Sequence, residues 1–103
     1  MSYESIMDRL ERVGERYTQM MARTRRLGDS ARLFSSMMRR IYNICVDAYR
    51  YYKRGRLSAD EAGNIIEQAM YYMVQGKSIM EVNVQYAYDE YKDKITDILL
   101  ELE

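Results

Sequence analysis

Arginine is the residue of this chain with the most potential for chemistry, because histidine is absent and cysteine occurs once. Without histidine, neither a Ser-His or Cys-His catalytic pair nor a Cys/His zinc site can form. The single cysteine excludes a disulfide framework within the chain, and the isolated glycines make no Gly-rich phosphate loop. We therefore expect no catalytic residue, no metal site, no cofactor and no small-molecule substrate, and the chain is predicted not to be an enzyme.

Charge is divided unevenly along the chain, although its formal net charge is zero. Residues 1–56 carry 13 basic and 6 acidic side chains, whereas residues 57–103 carry 3 basic and 10 acidic ones. All twelve arginines lie between Arg9 and Arg56. Because guanidinium groups grip carboxylates and phosphates bidentately, this division points to nucleic acid, a membrane surface or an oppositely charged partner. The alternative is that the two halves neutralise each other within one fold or across an oligomer.

Apolar residues recur at steps of three and four, which predicts amphipathic helices and no strands. Glycine stops and capping boxes predict the helix ends. The stops are Gly28, Gly55 and Gly76, and the capping boxes are Ser58 with Glu61 and Ser78 with Glu81. Asp29 or Ser30 is the predicted cap of the second helix. The four helices are expected near residues 2–27, 30–54, 59–75 and 79–102.

The predicted fold is all-α: a single domain of residues 1–103, built as a four-helix antiparallel up-down bundle with short connections. The third helix is the shortest in this prediction, so a closed monomer would leave apolar surface uncovered. Dimerisation could therefore complete the bundle. Cys45 is expected to fill core volume as a buried thiol. Gly14 and Gly63 lie within helices and are expected to permit close approach of neighbouring helices.

Placing the charges on these helices gives three strips. The partner-binding basic strip, on the second helix, is Arg32, Arg39, Arg40, Arg50, Lys53 and Arg54. The second basic strip, on one flank of the first helix, is Arg9, Arg12, Arg16, Arg23 and Arg26. The complementary acidic strip, on the fourth helix, is Asp89, Glu90, Asp93 and Asp97. Among eleven tyrosines, Tyr42 and Tyr49 are hard to bury in a monomer and are the predicted aromatic anchors of an interface.

Two functions fit this pattern. The first is a non-enzymatic interaction protein that self-associates, most simply as a dimer, and presents an Arg/Tyr-rich surface to a macromolecular partner. The second is a DNA- or RNA-binding protein that contacts phosphates through the basic strips of its first two helices. We expect a protein partner rather than nucleic acid, because the acidic half would repel a polyanion unless it faced away.

Location and origin are predicted from composition. No apolar run approaches the roughly 20 residues of a membrane span, and no signal-peptide pattern opens the sequence. We therefore expect a cytoplasmic protein without a membrane partner. Arginine in excess of lysine, many tyrosines and no histidine give the composition a thermophile-like character, with which a viral or plasmid origin is compatible.

Overall fold

Four α-helices account for most of the chain in the computed structural model, which describes residues 3–24, 30–80 and 84–103. The helices are α1 (Tyr3–Thr24), α2 (Ser30–Lys53), α3 (Ala59–Ile79) and α4 (Gln85–Glu101). No strand occurs in the described ranges, so the all-α helical bundle predicted from the sequence is confirmed. None of the helices within these ranges is long and apolar enough to cross a membrane. Arg26, Gly28 and Asp29 lie outside the described residues.

The predicted end of α2 and the predicted start of α3 are confirmed by the backbone geometry. Gly55 has a φ of +73°, a left-handed conformation that glycine adopts without steric cost. Its N–H donates to the Tyr52 carbonyl at 3.0 Å and the Arg56 N–H donates to the Tyr51 carbonyl at 2.9 Å, a Schellman closure of α2. Ser58 and Glu61 then form the predicted capping box of α3, with two reciprocal hydrogen bonds of 2.9 and 3.0 Å.

The predicted boundary between the third and fourth helices is wrong. Gly76 does not end α3; it is buried inside the helix, which continues to Ile79. Ser78 is therefore helical rather than a cap, and its hydroxyl donates to the Val74 carbonyl at 3.0 Å. Glu81, its predicted capping partner, lies outside the described residues. The helix continues past Gly76 because this glycine serves a contact with α1, described below.

The lengths of the last two helices also differ from expectation. α4 begins at Gln85 rather than near residue 79, and its N-cap residue Val84 makes no side-chain capping bond. α3 has 21 residues and α4 has 17, so the fourth helix is the shorter one. The third helix is therefore not the shortest one, and the argument that it leaves apolar surface uncovered in a monomer no longer holds. That reason for dimerisation is removed.

The helices alternate in direction, and the two middle ones form the centre of the bundle. Arg9 near the start of α1 pairs with Asp47 near the end of α2, which makes these helices antiparallel. No Cα of α1 lies within 8 Å of a Cα of α4, whereas α2 and α3 each approach all of the other helices. α1 and α4 therefore lie on opposite edges of a flat bundle with extents of 43 × 23 × 16 Å. A simple ring, in which the first and last helices adjoin, is not formed.

The closest contacts between α1 and α3 use two glycines. A β-carbon on Gly14 of α1 would overlap the ring of Tyr72, and one on Gly76 of α3 would overlap the ring of Tyr17. The role expected of Gly14 is thus confirmed. Gly63 plays no such role, since nothing lies within 4 Å of the position of its β-carbon.

A continuous apolar core fills the space between the helices. Its largest fully buried side chains include Tyr17, Phe34, Met38 and Ile66. Cys45 is fully buried in the same core, as expected, and burial raises the pKa of its thiol to about 12. A neutral thiol in this setting fills volume and is not a nucleophile.

Candidate functional site

Arginines from α1 and α2 meet at an open groove of about 390 Å³ between the two helices. The residues that line it are Arg9, Arg12, Val13, Arg16, Arg40, Asn43 and Ile44. On α1 the steps of three and four residues place these arginines on one face. A second depression extends the surface along α1 to Arg23. We call Arg9, Arg12, Arg16, Arg23 and Arg40 the basic groove.

One member of the basic groove is held by an ion pair. The Nη2 atom of Arg9 lies 2.8 Å from the Oδ2 atom of Asp47, and both side chains are about one-third exposed. An exposed pair of this kind contributes little stability, but it fixes the Arg9 guanidinium at one end of the groove. Arg12, Arg16 and Arg40 are exposed and pair with no carboxylate among the described residues.

The structure divides the predicted basic strip of α2 among several surfaces. Arg40 alone lines the basic groove. The exposed Arg32, Arg39 and Arg50 share the outward face of α2 by their helical spacing, and Arg54 lies in the turn after the helix. Lys53 lies on the side of α2 that faces α4, with its Nζ atom 5.8 Å from the centre of the Tyr49 ring.

The two predicted aromatic anchors lie together, but on the acidic side of the molecule. They line an open groove of about 250 Å³ between α2 and α4. We call this the tyrosine groove; its residues are Tyr42, Tyr49, Lys94, Asp97, Ile98 and Glu101. The Tyr42 ring also packs against Tyr91 at a centroid distance of 5.8 Å. Both tyrosines are partly exposed, so their rings remain accessible from the groove.

The predicted acidic strip runs along the outer side of α4, where Asp89, Glu90, Asp93 and Asp97 are all exposed. The side chain of Gln85 donates to Asp89 at 2.8 Å, and Lys94 pairs with Glu90 at 3.3 Å. Glu101 continues the strip one turn beyond Asp97, and we call these five carboxylates the acidic ridge. Exposed apolar side chains flank the ridge, namely Tyr86 and Leu100.

Lys94 and Glu101 were not among the predicted site residues. Each lies at an i+4 step from a member of the acidic strip, Lys94 from Glu90 and Glu101 from Asp97, so helical spacing alone could have found them. Their position beside Tyr42 and Tyr49 depends on the packing of α4 against α2, which has no signal in the sequence.

The two charged surfaces lie on different sides of α2, with the basic groove toward α1 and the acidic ridge on α4. Across the ranges that the structure describes, no ion pair joins an arginine of α1 or α2 to a carboxylate of α4. The backbones of α1 and α4 are kept apart by α2 and α3, which occupy the middle of the fold. The positive and negative halves of the sequence therefore do not neutralise each other by direct contact within one chain.

Two further findings bear on function. The described residues contain no group of three or more acidic or cysteine side chains that could hold a metal ion. Compared with known proteins, the chain matches no family model, no curated protein and no solved structure.

Proposed function

We propose that this protein is a non-enzymatic interaction module that self-associates through its two charged edges. The observation that supports this is the separation of the basic groove from the acidic ridge, with their charges left unpaired between the two helical edges. Charges that find no partner within a chain remain available to a second molecule. Complementary potentials of this kind steer encounter and fix the register of an interface.

Size-exclusion chromatography with light scattering at low and high salt tests the proposal. We expect a salt-sensitive oligomer, because screening weakens attraction between exposed charges. Arg12→Glu with Arg16→Glu reverses the centre of the basic groove and should give a monomer at low salt. Arg50→Glu with Arg54→Glu is the matched control, since it changes net charge equally but lies outside the groove. A wild-type chain that is monomeric at low salt would contradict self-association.

Nucleic-acid binding is the second candidate, and one observation favours it. The basic groove lies between α1 and α2, and no Cα of α1 lies within 8 Å of a Cα of α4, so a polyanion bound along α1 would be held away from the carboxylates of α4. The same chromatography with a mixed DNA and RNA oligonucleotide tests it. A nucleoprotein peak that disappears at high salt, and is absent for the Arg12→Glu, Arg16→Glu variant, would support this function over the first.

We also propose an intracellular location. The support is Cys45, which is a free and buried thiol, as is usual in reducing compartments. Fractionation of the native host, with detection of this chain by antibody, would test the location directly.

A further inference from the structure

We propose that the tyrosine groove receives an arginine side chain from the basic groove of a second copy, so that copies join head to tail. The inference rests on the proposed self-association. It adds the site that is occupied, the side chain that occupies it and the direction in which the assembly grows.

The tyrosine groove has the chemistry that a guanidinium group requires. A guanidinium is planar; it stacks on aromatic faces and pairs with carboxylates. The groove offers the rings of Tyr42 and Tyr49 together with the carboxylates of Asp97 and Glu101. Those carboxylates lie one helical turn apart, and neither pairs with a cation among the described residues.

The chain already uses these rings to hold cations. The Nζ atom of Lys94 lies 5.8 Å from the Tyr42 ring centre and 5.2 Å from that of Tyr91. Lys53 lies 5.8 Å from the ring centre of Tyr49. These distances fall within the range over which aromatic faces attract positive groups.

Lys94 does not close the groove to an incoming arginine. Its ammonium group pairs with Glu90 at 3.3 Å, so that pair is internally neutral. Asp97 and Glu101 add two negative charges on the same wall, and Lys53 beside Tyr49 offsets one of them, so the groove keeps a net negative charge. An arginine side chain can thus enter with its stem along Ile98 and its head group between the carboxylates and the rings.

A second copy fits this surface by charge and by length. The acidic ridge from Asp89 to Glu101 extends about 18 Å along α4 at 1.5 Å per residue. The arginines of α1 from Arg9 to Arg23 extend about 21 Å on the same basis. Arg12 and Arg16, near the middle of that row, are exposed and unpaired in the described structure.

The two grooves lie on different sides of α2, and this bears on the symmetry of the assembly. A two-fold dimer would close both contacts at once between the same two copies, whereas a head-to-tail contact closes one of them. When a basic groove meets a tyrosine groove, each copy keeps one unoccupied surface on its far edge. Further copies can therefore add at both ends, and the assembly grows as an open chain or closes as a ring.

The first experiment compares two charge reversals on α4 by light scattering at low salt. Asp97→Lys with Glu101→Lys alters the tyrosine groove, and Asp89→Lys with Asp93→Lys makes the same charge change on the ridge outside it. We expect the groove variant to weaken association at least about tenfold more than the control, because like charges would face each other across the interface. Both variants losing association equally would overturn the inference and leave self-association standing. Lysines near the C-terminal end of a helix favour folding, and circular dichroism checks this.

A neutral substitution tests the aromatic part of the site. Tyr49→Leu keeps an apolar side chain at the groove and removes the ring face. We expect association about two- to fivefold weaker, the size of one exposed cation–π contact. Tyr71→Leu, on the outer face of α3, is the matched control and should leave association unchanged. Equal effects of the two substitutions would overturn a role for Tyr49.

Mixing two variants tests the head-to-tail contact directly. The Arg12→Glu, Arg16→Glu variant keeps only its tyrosine groove, and an Asp97→Asn, Glu101→Gln variant keeps only its basic groove. The second variant is neutral at these positions, so that it does not attract the introduced glutamates. Each should be monomeric alone, and their mixture should form a dimer of twice the 12.3 kDa chain mass that grows no further. A mixture that stays monomeric, or assembles beyond the dimer, would overturn the inference. A monomeric wild type would overturn the proposed self-association as well.

Discussion

The phenol end of Tyr17 lies against Gly76, in the space that a β-carbon would occupy. Its hydroxyl donates to the Met73 carbonyl at 3.3 Å. One turn earlier on each helix, the ring of Tyr72 lies against Gly14 in the same way. At each of two neighbouring levels, a tyrosine ring of one helix therefore packs against a glycine of the other. These contacts follow the same order along α1 and α3, so the two helices pack in parallel.

Alanine at Gly76 or Gly14 should destabilise the fold. Each added methyl group would force a buried tyrosine ring to move, and overpacking of this kind costs about 1–3 kcal/mol. Urea unfolding measures the loss in the free energy of unfolding. Gly63→Ala is the control on the same helix as Gly76, because its β-carbon would enter open space. We expect it to stabilise by about 0.5–1 kcal/mol through better helix propensity. Similar losses at all three positions would contradict this account.

The ion pair between Arg9 and Asp47 should contribute little to stability. A double-mutant cycle with Arg9→Ala and Asp47→Ala is expected to give a coupling energy of about 0.2–1 kcal/mol, as for other exposed pairs. The value should fall in about 1 M salt, where screening is stronger. A coupling that is larger and independent of salt would show that the pair is more shielded than its exposure indicates.

Alkaline pH should destabilise the protein through Cys45. Burial raises the pKa of its thiol from 9.0 to about 12. Between those values the unfolded chain has lost a proton that the folded chain retains. The free energy of unfolding then falls by about 1.4 kcal/mol per pH unit. Urea unfolding across this range measures the slope, and Cys45→Ala should remove it. A slope that begins near pH 9 in the variant would identify another group as its cause.

Tyr17 should add a second loss of stability above about pH 10, the ordinary pKa of tyrosine. Burial, and to a smaller extent Tyr88, raises the pKa of its hydroxyl well above that value. The folded chain therefore keeps this proton while the unfolded chain releases it, and the slope becomes steeper. Tyr17→Phe should abolish the added slope. At neutral pH the same substitution should cost about 0.5–1.5 kcal/mol, from loss of the hydrogen bond to Met73.

The capping box of α3 should make a measurable contribution to the free energy of unfolding. Ser58→Ala removes the acceptor of the Glu61 N–H and should cost about 1 kcal/mol in the free energy of unfolding. Ser58→Thr retains a hydroxyl and is the conservative control, with a smaller expected loss. If the two variants are equally unstable, the hydroxyl is not the source of the stabilisation.

Helix type and several helix ends were predictable because they depend on local chemistry. The spacing of apolar residues predicts four helices, and Gly55 and Ser58 act within one turn of their own position. Gly76 shows the limit of such reasoning. A glycine that ends a helix and a glycine that accepts a ring are identical in sequence, and only the position of Tyr17 on another helix separates them.

The candidate site was predictable in composition but not in arrangement. Helical spacing places Arg12 and Arg16 on one face, and places Asp93 and Asp97 together on another. Which face of α2 meets α1 is decided by packing in the whole bundle. That packing brings Arg40 to the basic groove and leaves Tyr42 and Tyr49 beside the carboxylates of α4. The carboxylates of α4 share one exposed side, whereas the basic strip of α2 is divided among several surfaces, and the neighbours of each strip depend on tertiary structure.

The parallel contact between α1 and α3 has a consequence for synthesis of the chain. Gly14 and Tyr17 contact residues nearly sixty positions later in the sequence, Tyr72 and Gly76 respectively. A growing chain on the ribosome therefore presents the apolar faces of α1 and α2 before the helix that completes their packing has been made. Folding in the cell must wait for α3. During that interval the nascent chain is most open to capture by chaperones or to association with a neighbouring copy.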